Sequence, residues 1–356
     1  KDITVNKNIL IFTAILFSNF AIGDDLESNL LPTHSPVAQV ASFKGIQVTG
    51  VTLSKDGRIF ANAPKWRTGV PFSVVEIMPD KSVKPYPNES MNSWEIGDKI
   101  SDKFISVQSV VADGNYLYIL DTANPMFKGV VAEPRLYMYD LNSNQLAKIY
   151  TFPESVINKN SYTNDLRVDD KHGKIYFTDS GVAGLIILDT KTEKFTRVLD
   201  NSPYTKAEFD HLTINGKEWK NTVNADGIAL DKKNEILYFH ALSGYSLYGI
   251  KTVDLLDPKK LKNVKPFKMK TSAPDGMIID NNGNLYFGDL ENNKISYLTP
   301  DRKTVKLLVD GDDVKWPDTF SIYDGYLYFS NSRISETGGD ISNLVFMINK
   351  VKLPTK

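Results

Sequence analysis

With 356 residues, 41% of them hydrophobic and 24% charged, the chain can bury a large core, and nothing in its composition points to disorder. A formal net charge of -1, with no run of Lys or Arg, offers no basic field to a phosphate backbone, so nucleic acid is not an expected partner. Cysteine is absent, which excludes disulfides, thiolate metal sites and a Cys nucleophile.

At the N-terminus, Lys1 and Lys7 precede the apolar run Ile9-Leu10-Ile11-Phe12-Thr13-Ala14-Ile15-Leu16-Phe17. Ala21-Ile22-Gly23 then places small residues at the two positions a signal peptidase inspects. Residues 1–23 read as a signal peptide and 24–37 as an N-terminal extension, which makes the folded part secreted or periplasmic. No later apolar run approaches the ~20 residues of a membrane span, so none is expected once the signal is removed. Export without disulfides fits a bacterial periplasm.

From there a single phrase recurs: an apolar stretch, a turn rich in Asp, Asn and Gly such as Lys55-Asp56-Gly57 or Asp280-Asn281-Asn282-Gly283, then an apolar-aromatic triplet. The triplets are Ile59-Phe60-Ala61, Leu117-Tyr118-Ile119, Ile175-Tyr176-Phe177, Leu237-Tyr238-Phe239, Leu285-Tyr286-Phe287 and Leu327-Tyr328-Phe329, so their starts are separated by 58, 58, 62, 48 and 42 residues. That period suits one four-stranded propeller blade with variable loops, and patterning of period two dominates between the turns. The fold class is therefore all-β, a six-bladed β-propeller over residues 38–356. In each blade the stretch before the turn is the innermost strand and the triplet strand comes second; runs such as Gly184 to Asp189 are third and Lys194 to Leu199 outermost. Ala38 to Val48 and Asn343 to Val351 are the strands available to close the ring, and either end could supply the outer one. Val253 to Leu261 is the best short helix.

Aligning the inner strands on their last apolar residue (Leu53, Ala112, Val168, Leu230, Ile279, Ile322) brings Thr49, Gln108, Asn164, Asp226, Asp275 and Asp318 to one height, four positions earlier. Six polar side chains, three of them carboxylates, should converge at one mouth of the central channel. Packed acids repel and lose hydration, so they need a cation, raised pKa values or open water. Oxygen ligands without His or Cys favour a hard cation such as Ca²⁺, with Asn164, Asp226 and Asp275 as metal ligands and Asp318 and Asp165 as further oxygens. Asp before Gly also starts tight turns, which would account for single positions but not for Asn164 or Gln108. A second polar position (Ala63, Asp121, Asp179, Ala241, Asp289, Asn331) reads as turn chemistry at strand ends. The insertion Asn201 to Val223, holding Phe209, Asp210, His211 and Trp219, leads into Asp226 and suits a lid, with Trp219 on the ligand and His211 as a candidate acid or base. Asp226 and Asp275 are the other catalytic candidates. No Gly-x-Ser-x-Gly elbow, His-Glu-x-x-His or phosphate loop is present.

The chain resembles the yellow and major royal jelly protein family. Gly57-Arg58-Ile59-Phe60 through Pro64-Lys65-Trp66, Gly69-Val70-Pro71 and Pro85-Tyr86-Pro87 look like that family's first blade. Ser109-Val110-Val111, Leu120-Asp121-Thr122, Gly184 to Asp189, Asp226-Gly227-Ile228-Ala229-Leu230 and Leu237-Tyr238-Phe239-His240-Ala241-Leu242 follow in the same order. The resemblance implies a secreted six-bladed propeller that holds small molecules in its channel; the lack of cysteine looks like a bacterial branch. More distantly, Asn164-Asp165, Asp226-Gly227 and Pro274-Asp275-Gly276 are similar to metal-ligand phrases of gluconolactonase and senescence-marker lactonases, in which a Glu stands where this chain has Thr49. Three functions are then expected: binding or isomerisation of a small polar or aromatic molecule, a Ca²⁺-dependent lactone hydrolase with Asp226 or Asp275 as base, or a protein-interaction platform.

Overall fold

The computed structural model describes residues 36–355; the expected signal peptide, His34 and most of the N-terminal extension lie outside them. Strands dominate because period-two apolar runs are cut every few residues by turn clusters that set the next strand antiparallel. Among the described residues they form six four-stranded antiparallel sheets and one two-stranded hairpin. Blade 1 uses Gly50–Leu53, Ile59–Asn62, Val74–Ile77 and Val83–Pro85 in sequential order. Blades 2 to 5 repeat that order, with inner strands Val107–Asp113, Thr163–Asp169, Ala225–Asp231 and Met277–Ile279. Every triplet lies in a second strand, as the repeat requires.

Blade 6 settles how the ends are used. Pro317–Tyr323, Tyr326–Asn331 and Val345–Lys352 are its first three strands, and Val37–Lys44 pairs with Val345–Lys352 as the outermost. The N-terminal strand thus covers an edge that would otherwise stay bare. The expected helix is split: Thr252–Leu255 and Pro258–Lys262 are separate short helices. Pro258 lacks the N–H needed to continue the first, and the Asp257 carboxylate caps the second by accepting from Lys259 and Lys260.

The aromatic triplets explain the ring. The core divides into clusters at the seams between consecutive blades: Phe60 and Val74 meet Val107, Leu117 and Tyr137; Tyr118 and Leu136 meet Leu166 and Phe177; Tyr238 and Leu247 meet Met277 and Phe287. The last seam joins Tyr328, Phe346 and Ile348 of blade 6 to Val51, Ala61 and Val75 of blade 1. Each large side chain so buried stabilises the fold by ~1.5–3 kcal/mol. At the second polar position, Asp121 accepts from the amides of Ile105, Ser106 and Ala123, and Asp179 from those of Tyr162, Gly181 and Val182. These carboxylates latch turns, in keeping with turn chemistry at strand ends.

Candidate functional site

Four inner strands carry a β-bulge, and each bulge falls on the polar ring. The register slips between Val107 and Ser109, Thr163 and Leu166, Ala225 and Gly227, and Pro317 and Phe320. The extra residues there include Gln108, Asn164, Asp226 and Asp318. A bulge releases a residue from the ladder and re-aims its side chain, here into the channel. Asp275 precedes the paired strand Met277–Ile279. In blade 1 the ladder runs without a slip from Gly50 opposite Asn62, and Thr49 is fully buried. The structure therefore brings Gln108, Asn164, Asp226, Asp275 and Asp318 to one cavity of about 440 Å³ and leaves Thr49 off its wall.

The glycines after two of these acids have a packing role. A Cβ on Gly227 would stand 2.7 Å from the Asp275 carbonyl, and one on Gly276 would stand 2.7 Å from that of Asp318. Adjacent inner strands approach too closely there for a side chain.

On the cavity floor, Asn164 Nδ2 donates to Asp226 Oδ2 at 3.0 Å and Trp316 Nε1 donates to Asp275 Oδ2 at 2.7 Å. Asp226 and Asp275 lie within hydrogen-bonding reach of each other. Burial first, then the charges of Asp318 and Asp165, push Asp226 well above the usual carboxylate range; burial, Asp318 and Asp226 do the same to Asp275. Burial lifts Asp318 to about 7 against the lowering effect of the Ser332 and Thr319 hydroxyls. Its Oδ2 is buried with no hydrogen-bond partner. The floor can thus hold protons near neutral pH.

The walls are aromatic. Phe127 stacks on Tyr162 with centroids 4.8 Å apart, and Trp66 lies 5.3 Å from Phe127. Trp66 Nε1 donates to Tyr162 Oη at 2.7 Å, and Tyr162 Oη donates to Gln108 Oε1 at 2.5 Å. Phe127 is 60% exposed although it lines the cavity, and its φ of 55° is left-handed, as is the 61° of Trp316. Such strain persists where surrounding structure imposes it, often at binding sites.

The insertion folds as the hairpin Leu212–Ile214 and Lys217–Trp219. Trp219 lines the cavity, edge-on to Trp316 at 4.8 Å. His211 is off the wall, its Nδ1 2.7 Å from Asp210 Oδ1. Asp165 is off the wall too: its carboxylate accepts from Ser109 Oγ and pairs with Arg167 at 3.1 Å. Arg167 reaches past blade 4 to donate to the Met277 carbonyl at 2.6 Å, and lines a second cavity of about 500 Å³ at the turn end of the channel. Trp66, Arg67, Phe127, Tyr162 and Trp316 are wall residues that the alignment of inner strands missed, since they sit before, after or between those strands.

One oxygen of Asp226 and one of Asp275 accept N–H donors, and among the described residues no group of three or more His, Cys, Asp or Glu side chains is arranged to hold a metal ion. Asn164, Asp226 and Asp275, the expected calcium ligands, line the same cavity.

The major royal jelly protein family model matches residues 105–354. Major royal jelly protein 3 of Apis mellifera is 23% identical over 244 residues, 64% of this chain and 44% of that protein. Dopaminechrome tautomerase of Drosophila melanogaster is 24% identical over 218 residues, 55% of this chain and 46% of its own. The matched stretch spans under half the length of these two curated relatives. Among solved structures, a gluconolactonase of Xanthomonas campestris superposes with a TM-score of 0.55 at 12% identity, covering 90% of each chain. That likeness is one of fold. With the family match extending over more than half its residues, the chain belongs to the major royal jelly protein family.

Proposed function

We propose that the cavity binds a small aromatic molecule carrying a protonated amine, and that its acids can move a proton on that molecule. The observation that carries this reading is the burial of Asp226, Asp275 and Asp318 together beneath aromatic walls. Rings favour stacking against Phe127 and Trp66, and a cation among buried acids relieves their repulsion. An isomerisation by proton transfer takes hydrogen from one atom and returns it to another, so it needs a base and an acid at once. Asp226 and Asp275, within hydrogen-bonding reach of each other and raised above the usual carboxylate range, with Asp318 pushed up to about 7 beside them, can supply both roles. The Drosophila relative is named a dopaminechrome tautomerase; dopaminechrome, whose ring nitrogen is conjugated and not protonated, is therefore a trial substrate for the proton-transfer step alone and not for the amine contact. Secretion is the expected setting, and no helix of the described residues is long and apolar enough to cross a membrane.

The test is titration with 2-phenylethylamine, followed by tryptophan fluorescence and thermal melting. Binding should raise the Tm, and Asp226→Asn or Asp275→Asn should weaken it by about tenfold, or ~1.4 kcal/mol. Conversion of dopaminechrome that falls in Asp318→Asn would establish the proton-transfer step. Absence of binding, or binding indifferent to the acids, would overturn the reading. A Tm raised by millimolar Ca²⁺ and lowered by chelator would show that a cation, and not a proton, balances the acids.

A further inference from the structure

Arg67 follows Trp66 in the loop between the second and third strands of blade 1, and it lines the cavity of the three acids. It is half-buried, on a wall shared with a smaller cavity of about 370 Å³. Among the described residues it donates one side-chain hydrogen bond, from Nη1 to Gln47 Oε1 at 2.7 Å, and pairs with no carboxylate. Gln47 is itself held by donating to the Ser332 carbonyl at 2.8 Å. The other arginines that are tied down here differ: Arg58 grips Glu76, Arg167 pairs with Asp165 and Arg197 with Asp179. Burial lowers the proton affinity of Arg67, and among the described residues no acid is near enough to offset it. A planar fork of donors held in place, with most of its N–H groups unengaged, is the arrangement that recognises a carboxylate in two-pronged fashion.

The cavity is therefore bipolar. Acids occupy its floor, a guanidinium with no carboxylate partner among the described residues occupies its rim, and aromatic rings lie between. We propose that Arg67 binds the carboxylate of an aromatic amino acid whose ammonium group faces Asp226, Asp275 and Asp318. This rests on the reading of the cavity as an aromatic amine site and narrows its ligand class to zwitterions, with Arg67 as the residue that selects them.

Three probes sharing one ring separate the contributions: L-phenylalanine, 2-phenylethylamine and 3-phenylpropionate, each titrated by tryptophan fluorescence and checked by calorimetry. L-phenylalanine should bind about tenfold or more tighter than 2-phenylethylamine, as a charge-assisted pair in a half-buried site would give. In Arg67→Met that ratio should collapse to about one, and Arg67→Lys, which keeps charge but loses the fork, should retain an intermediate ratio. Equal affinities in the unmodified protein, or a ratio unchanged by both substitutions, would overturn the assignment of Arg67 while leaving the amine site standing. Failure of all three probes to bind would overturn both.

Discussion

Asp318 is the residue whose chemistry can be read most directly. Its carboxyl accepts a weak 3.4 Å bond from the Thr319 hydroxyl on one oxygen while the other is buried without a hydrogen-bond partner, so the nearby hydroxyls offset burial only in part and the proton is held up to about pH 7. An unfolded Asp releases its proton near 3.8, so the folded chain binds more protons between roughly pH 4 and pH 7. Its contribution to stability is therefore present at the acidic end and declines as pH rises through that window. Melting curves should show a slope of up to about 1.4 kcal/mol per pH unit from this group, absent in Asp318→Asn. A variant whose pH profile matched that of the unmodified protein would show that Asp318 is already ionised. The acids of the floor were legible in the sequence because six repeats could be laid over one another. Arg67 and Phe127 were not, because loops that differ from blade to blade have no internal copy to align with. Thr49 was grouped with the ring on count alone; without a bulge in blade 1, its side chain stays buried, with its hydroxyl 3.5 Å from Asn62 Nδ2.

At the level of strands, the slipped registers of the inner strands present the ring. Apolar periodicity cannot report them, since one extra residue at a strand's start leaves the downstream alternation intact. The Asp-Gly pairs had been open to reading as turns, yet Gly227 and Gly276 sit where neighbouring inner strands nearly touch. Gly227→Ala would force its Cβ against the Asp275 carbonyl and the Met277 side chain, an overpacking cost of ~1–3 kcal/mol. Denaturant unfolding should register that loss, together with weaker ligand binding as Asp275 is displaced. A neutral substitution would mean that the strands can part without cost. The hairpin of the insertion was expected as a lid, and it does set Trp219 on the cavity. His211 turns instead to Asp210 and Glu218, partners supplied by its own hairpin.

For the molecule as a whole, the six-fold repeat made the ring legible, whereas the use of the ends depended on pairing over the full length of the chain. Val37–Lys44 contributes Ala41 and Phe43 to the seam between blades 6 and 1. Removing residues through Lys44 strips that edge and its apolar contacts, and should replace a single sharp melting transition with an early, broad one and with aggregation. A synthetic peptide of residues 36–44 should restore part of the lost Tm, and an unchanged transition in the truncated chain would show that this strand is dispensable. The composite blade also orders events at the ribosome. Val37–Lys44 emerges about 300 residues before its partner Val345–Lys352, so at roughly 5–20 residues per second it waits on the order of 15–60 s with its hydrogen-bonding edge unmatched. Five blades can assemble in turn during that interval, but the propeller becomes resistant to proteases only once Val345–Lys352 has emerged to take up the waiting strand.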